Sequence, residues 1–148
     1  MLDQAYSLPL RKAEAGAAER LALFVFCIAA EEPVRTLEAI AAVVANQAAQ
    51  SLAKEQPGVL LSDLPRQRRE GIFLSHLLPV DEEAHQFPSL SNERFAACLR
   101  IARRAVAGAL RDPTGGATRF HPIGASPGWA ERWFPTAWIG NFLFYREK

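Results

Sequence analysis

Residues 112 to 118, DPTGGAT, divide the chain into two stretches that cannot fold in the same way. Asp112 precedes a proline, which pushes it out of helical geometry, so the helical pattern upstream is predicted to stop there. Gly115 and Gly116 then supply the positive φ that a β-turn needs. Upstream, apolar residues recur at three- and four-residue steps. Downstream, ATRFHPI and AWIGNFLFY are rich in aromatic and β-favouring residues with Gly and Pro between them, which predicts short strands of one small sheet.

The upstream part predicts three helices. Residues 11 to 30 contain one Gly, Gly16, and end in the apolar run LALFVFCIAA, so this helix is expected to be buried on all sides toward its end. Cys27 and Cys98 both read as small buried hydrophobes. Pro33 suits the first turn of a second helix, with Glu31 and Glu32 near its positive end. Along VRTLEAIAAVVANQAAQSLAKE, Val34, Leu37, Ile40, Ala41, Val44, Ala48 and Leu52 form one core face.

Ser91 is the expected cap of the third helix, NERFAACLRIARRAVAGALR. There Phe95, Cys98, Leu99, Ala102, Val106 and Leu110 make the apolar stripe, while Arg100, Arg103, Arg104 and Arg111 lie off it. Between the second and third helices, residues 56 to 90 hold Pro57, Pro65, Pro79 and Pro88 and little periodicity. That segment is expected to be a long loop, with RQRRE at 66 to 70 a solvated part of it. The fold class is therefore α+β, mainly helical with a small C-terminal β-sheet, as a single domain over residues 1–148 in which the second helix is central.

Composition narrows the function classes. Seventeen basic against sixteen acidic residues give a net charge of +1, so no overall field favours nucleic acid or an anionic membrane. The ten-residue apolar run is about half of what a bilayer-spanning helix needs. It also follows a mixed-charge segment, RKAEAGAAER, rather than the flank of a signal peptide, which implies a chain that is cytoplasmic as synthesised.

Two cysteines make neither a disulfide framework nor a zinc motif. His76, His85 and His121 lack metal-ligand spacings, and the acids at 81 to 83 fall in the expected loop, so no metal is expected. A phosphate-binding loop runs strand, glycines, helix, whereas Gly115 and Gly116 follow a helix and precede a strand. With no Gly-x-Ser-x-Gly elbow either, no cofactor is implied. Two acids at the end of an apolar helix remain. Burial would raise the pKa of Glu31 or Glu32 toward proton donation, or either side chain could face solvent and complement the helix dipole.

The C-terminal block carries a resemblance. Asp112 to Thr118, Phe120, His121, Pro127, Trp129, Ile139, Gly140, Phe144 and Tyr145 are similar, in order, to a pattern of the cell-wall hydrolases related to the spore-cortex-lytic enzymes. Leu21, Ala22, Val25, Phe26, Ala29, Glu32 and Pro33 fall in register with that family's N-terminal run. Ala39, Ala42, Val43, Val44 and Asn46 match the helix that follows. The resemblance implies a lysozyme-like fold and cleavage of the β-1,4 bond between peptidoglycan aminosugars. In its lytic transglycosylase form one Glu serves as acid and then base.

The family's general acid falls at Ile28 here, a Glu replaces its Gly at position 31, and a His near the end becomes Phe142. An isoleucine cannot give or take a proton. On the enzymatic reading Glu32 is the first candidate acid and Glu31 the next, with Thr118, Phe120, His121, Trp129 and Tyr145 lining or supporting the cleft. The alternative is a non-catalytic relative that binds peptidoglycan glycan strands or another protein. A nucleic-acid-binding module, resting only on RQRRE and the arginines of the third helix, ranks last.

Overall fold

Four helices precede three short strands in the computed structural model, which describes residues 16–77 and 87–147. Residues 11–15 of the first expected helix, the acids at 81 to 83 and His85 lie outside the described residues. Helix α1 spans Ala17–Ala29, α2 Val34–Glu55, α3 Arg66–His76 and α4 Glu93–Val106. Strands β1 (Arg119–Pro122), β2 (Ala137–Ile139) and β3 (Phe142–Tyr145) form an antiparallel sheet in the order β1-β3-β2.

Helix α2 is the centre of the molecule, touching α1, α3 and α4 as well as β1 and β2. Its predicted face is the one it buries: Leu37, Ile40, Ala41, Val44, Ala48 and Leu52 are all in the core, although Val34 stays exposed at the first turn. Around it, Leu21 and Val25 of α1, Phe95 and Cys98 of α4, Phe73 of α3 and Phe144 of β3 are fully buried. Burial of each such large apolar side chain contributes about 1.5–3 kcal/mol relative to exposure.

Helix α1 departs from expectation at its end. Its last turn leaves Cys27 and Ile28 exposed, while Ala29 turns inward. A wholly apolar run has no polar side to mark its outward face, so the exposure of Cys27 was hidden. Cys98 is buried as expected, and burial pushes its thiol up to about 11. At the corner after α1, Pro33 occupies the cap position just before the first turn of α2, and its carbonyl accepts from the Thr36 and Leu37 amides.

The segment expected to be a loop contains helix α3 and a 3₁₀ turn, Leu61–Asp63. Pro65 precedes α3, so RQRRE forms its opening turns rather than an irregular loop. Phe73 is the one fully buried side chain of this helix, too little apolar pattern to register as periodicity.

Two boundaries of α4 also differ. Asn92, not Ser91, caps its start, with Oδ1 accepting from the Arg94 and Phe95 amides at 3.0 and 3.1 Å. Its last residue is Val106, six residues before Asp112. Gly108 takes φ +77°, its N–H donates to Ala105 O, and the Ala109 N–H reaches back to Arg104 O at 2.8 Å. A left-handed glycine thus closes the helix before Asp112 and Pro113 can.

In the sheet, Phe120, Phe144 and Ala137 stand side by side, and Pro122, Phe142 and Ile139 form the next such row. Phe142, Phe144 and Ile139 belong to the core, so these rows lie on the inner face. His121, Leu143 and Trp138 make the intervening row, which period-two alternation sends to the outer face.

Candidate functional site

The turn that begins the second half is organised by one carboxylate. Asp112 Oδ1 accepts from the Thr114 amide at 2.7 Å and the Thr114 hydroxyl at 2.6 Å. Its Oδ2 accepts from the Gly116 amide at 2.8 Å and from Asn46 Nδ2 on α2 at 3.0 Å. Burial opposes the charge on Asp112. The hydrogen bonds from Thr114, Asn46 and Gly116 outweigh it and hold the carboxyl below its ordinary value.

Gly115 and Gly116 both adopt left-handed φ, +73° and +84°, which wraps the backbone around that carboxylate. Asn46 Nδ2 also donates to Ala117 O at 2.8 Å, and Gln47 Nε2 donates to Thr118 O at 2.7 Å. Neighbouring side chains of α2 therefore fasten the strand entrance to the central helix.

That fastening opens a groove of about 440 Å³ beside β1. Phe24 and Ile28 of α1 and Val43, Val44 and Gln47 of α2 form one side, and His76 stands at the end of α3. Thr118, Arg119 and Phe120 face them, with Trp129 from the 3₁₀ turn Gly128–Arg132. The walls are largely apolar, with Gln47, His76, Thr118 and Arg119 as polar groups, a composition suited to a ligand with flat apolar faces and hydroxyl edges.

Trp129 is held from behind. Its ring meets Tyr145 edge-on at 5.1 Å and His121 at 5.7 Å, and lies 5.7 Å from Trp133. The Arg119 guanidinium stacks at 5.4 Å from Trp129 and 5.1 Å from Trp133, while its Nη2 approaches Glu147 at 3.4 Å. His121 Nδ1 lies 2.7 Å from Pro122 O, and a carbonyl only accepts, so this nitrogen carries the proton. In the neutral ring Nε2 then accepts from the Tyr145 hydroxyl at 2.8 Å. His121 and Tyr145 are buried and support Trp129, whereas Thr118, Phe120 and Trp129 line the groove itself.

Glu31 and Glu32 lie elsewhere. Glu31 is exposed at the α1–α2 corner. Glu32 is half-buried, with Oε1 accepting from the Asn141 amide at 3.1 Å and its carbonyl from Arg94 Nη1 at 2.9 Å. Gly140, at φ +58°, presses so closely on Thr36 and Glu32 that a side chain there would collide with the Thr36 hydroxyl. Glu32 therefore ties the β2–β3 turn to the helical corner, and no carboxylate lines the groove among the described residues. Ile28 does line it, 37% exposed.

The sequence alone does not single out Gln47, His76 and Arg119 for this site. The i,i+4 spacing of Phe24 and Ile28, and of Val43 and Gln47, signals a shared helix face, but nothing in the sequence pairs those faces with β1. Among the described residues no group of three or more His, Cys, Asp or Glu is arranged to hold a metal, and no helix is long and apolar enough to cross a membrane.

These features define a mainly helical, lysozyme-like domain with a groove between its central helix and a small sheet. The sequence profile of the family described as Cell Wall Hydrolase matches residues 31–145, and the chain belongs to that family. The match begins three residues after Ile28. Among solved structures, the chain is similar to the catalytic domain of the Bacillus cereus SleB protein, with a TM-score of 0.57 and 20% identity. The likeness covers 88% of this chain and 89% of that one and shows a common fold. No curated protein matches the chain.

Proposed function

We propose that the protein holds a glycan strand of peptidoglycan in the groove beside β1 and does not cleave it. The observation that carries this reading is Ile28, whose side chain enters the groove at the position where the family resemblance places a general acid. Protonating a glycosidic oxygen needs a titratable group within hydrogen-bond reach, and an aliphatic chain has none. Of the two acids that follow Ile28, Glu31 is exposed at the α1–α2 corner and Glu32 has its carboxylate engaged by the Asn141 amide.

Binding is supported by the remaining walls. Phe120 and Trp129 offer ring faces against which a sugar can stack, and Trp129 is braced by His121 and Tyr145 before any ligand arrives. Such preorganisation limits the ordering cost of association. Gln47, Thr118 and Arg119 supply polar contacts at the rim.

Co-sedimentation with insoluble peptidoglycan tests the reading. Wild-type protein is expected in the pellet, and Trp129→Ala or Phe120→Ala is expected to weaken retention several-fold, from aromatic contacts of about 0.5–1.5 kcal/mol each. Retention that ignores both substitutions would remove the groove from the account.

A further inference from the structure

A second recess, of about 470 Å³, opens on the other side of Thr118, the residue that lines both it and the groove. Its α2 wall is Asn46, Ala49 and Gln50, each three residues beyond Val43, Asn46 and Gln47 in turn, so it lies about one helical turn farther along the same helix. Gly115, Gly116, Arg146 and Glu147 complete it. A strand lying in the groove and continuing along α2 past Thr118 enters this recess.

Its electrostatics differ from those of the groove. The Arg146 side chain lies over Gly116, with Nε and Cζ 3.7 and 3.8 Å from where a Cβ on that glycine would stand. Arg146 is exposed, and among the described residues no hydrogen bond or ion pair engages its guanidinium. The carboxylate in the recess, Glu147, is engaged by Arg119 at 3.4 Å. Asp112, close by in sequence, lines a different recess with Arg35, Glu38 and Arg111, and its oxygens are taken up by Thr114, Gly116 and Asn46. One uncommitted cation therefore faces the path of the strand.

We propose that this recess is a carboxylate subsite, in which Arg146 pairs with an acidic substituent of the bound strand. The inference rests on the glycan reading above and deepens it. Peptidoglycan carries carboxylates on its stem peptides and, wherever a muramic acid bears no peptide, on the lactyl ether, whereas a chain of N-acetylglucosamine alone carries none. A guanidinium meets a carboxylate through two parallel N–H···O bonds, a geometry that discriminates acidic from neutral ligands. Gln50, which also lines the recess, adds a side-chain amide able to donate and accept hydrogen bonds.

The test compares three probes of matched length by their affinity for wild type, Arg146→Gln and Arg146→Lys. The probes are stem-bearing glycan strands, strands stripped of peptide by an amidase, whose hydrolysis of the lactyl amide frees the lactyl carboxylate, and chito-oligosaccharides. Wild type is expected to prefer acidic strands over chito-oligosaccharide by about tenfold, as one charged hydrogen-bonding pair supports. Arg146→Gln is expected to abolish that preference without changing chito-oligosaccharide affinity, and Arg146→Lys to retain part of it.

A preference for stripped strands assigns the lactyl group, and a preference confined to stem-bearing strands assigns the peptide. Equal wild-type affinity for all three probes, or a preference that survives Arg146→Gln, overturns the subsite while leaving the groove intact. Wild-type protein that binds none of the three overturns both.

Discussion

Replacing Asp112 with Asn tests how the turn holds the groove together. The carboxylate accepts four hydrogen bonds, two at each oxygen. An Asn side chain keeps one carbonyl oxygen and puts an NH₂ donor in place of the other. With the carbonyl toward Thr114, the Gly116 amide and Asn46 Nδ2 each face a donor and lose their acceptor. Hydrogen bonds to a charged group contribute about 1.5–3 kcal/mol each, so two give about 3–6 kcal/mol.

Asp112 is only half-buried, so water replaces part of the loss, and the expected destabilisation is about 2–3 kcal/mol. Urea unfolding followed by circular dichroism at pH 7 measures it. The charge makes a second, signed prediction. The folded-state pKa of Asp112 is lowered, so its contribution is complete above the unfolded value of about 3.9 and is lost as pH falls through the lower folded value. The gap between wild type and Asp112→Asn should therefore hold steady from pH 7 down to about 5 and narrow in stronger acid. A variant within about 0.5 kcal/mol of wild type at pH 7, or a gap that widens in acid, would refute the role assigned to this carboxylate.

Three further outcomes follow from the packing. Phe73→Ala, which empties the one fully buried position of α3, is expected to cost about 3–5 kcal/mol by chemical unfolding, because α3 is docked through that side chain. Glu32→Gln weakens a half-exposed bond to the Asn141 amide, so it should lower stability by about 1 kcal/mol and leave peptidoglycan retention unchanged in the sedimentation assay. Ile28→Glu should be tolerated in stability to about 1 kcal/mol, since the side chain is already 37% exposed. Its new carboxyl should titrate by NMR above the usual Glu value of about 4.3, raised by the apolar walls of Phe24, Val43 and Val44.

The elements legible in the sequence are those whose pattern is local and repeated. Helix α2 declares itself through six buried positions at helical spacing, and the strands through their aromatic residues between Gly and Pro. Helix α3 does not, because Phe73 is its one fully buried side chain and its opening turns, RQRRE, are charged. The end of α4 is misread for a related reason: Gly108 and Asp112–Pro113 are both stop signals, and only the backbone shows that the first one acts. The groove-lining Thr118, Phe120 and Trp129 were readable because they sit in the block that resembles the family. His76 and Arg119 were not, since what brings them to Ile28 is a set of contacts between distant segments. Asn46 reaching Asp112, 66 residues away, is one of these, and local periodicity carries no trace of it.

On the proposed function, the groove holds a glycan strand without cutting it. Mass spectrometry of the soluble fraction, after prolonged incubation of purified protein with peptidoglycan, tests it most directly when the pellet is assayed in parallel. Binding without cleavage leaves protein in the pellet and no muropeptides above the protein-free control. Anhydro-muropeptides that appear with wild type and vanish in Glu32→Gln or Glu31→Gln would contradict it and make the protein a lytic transglycosylase with a relocated acid.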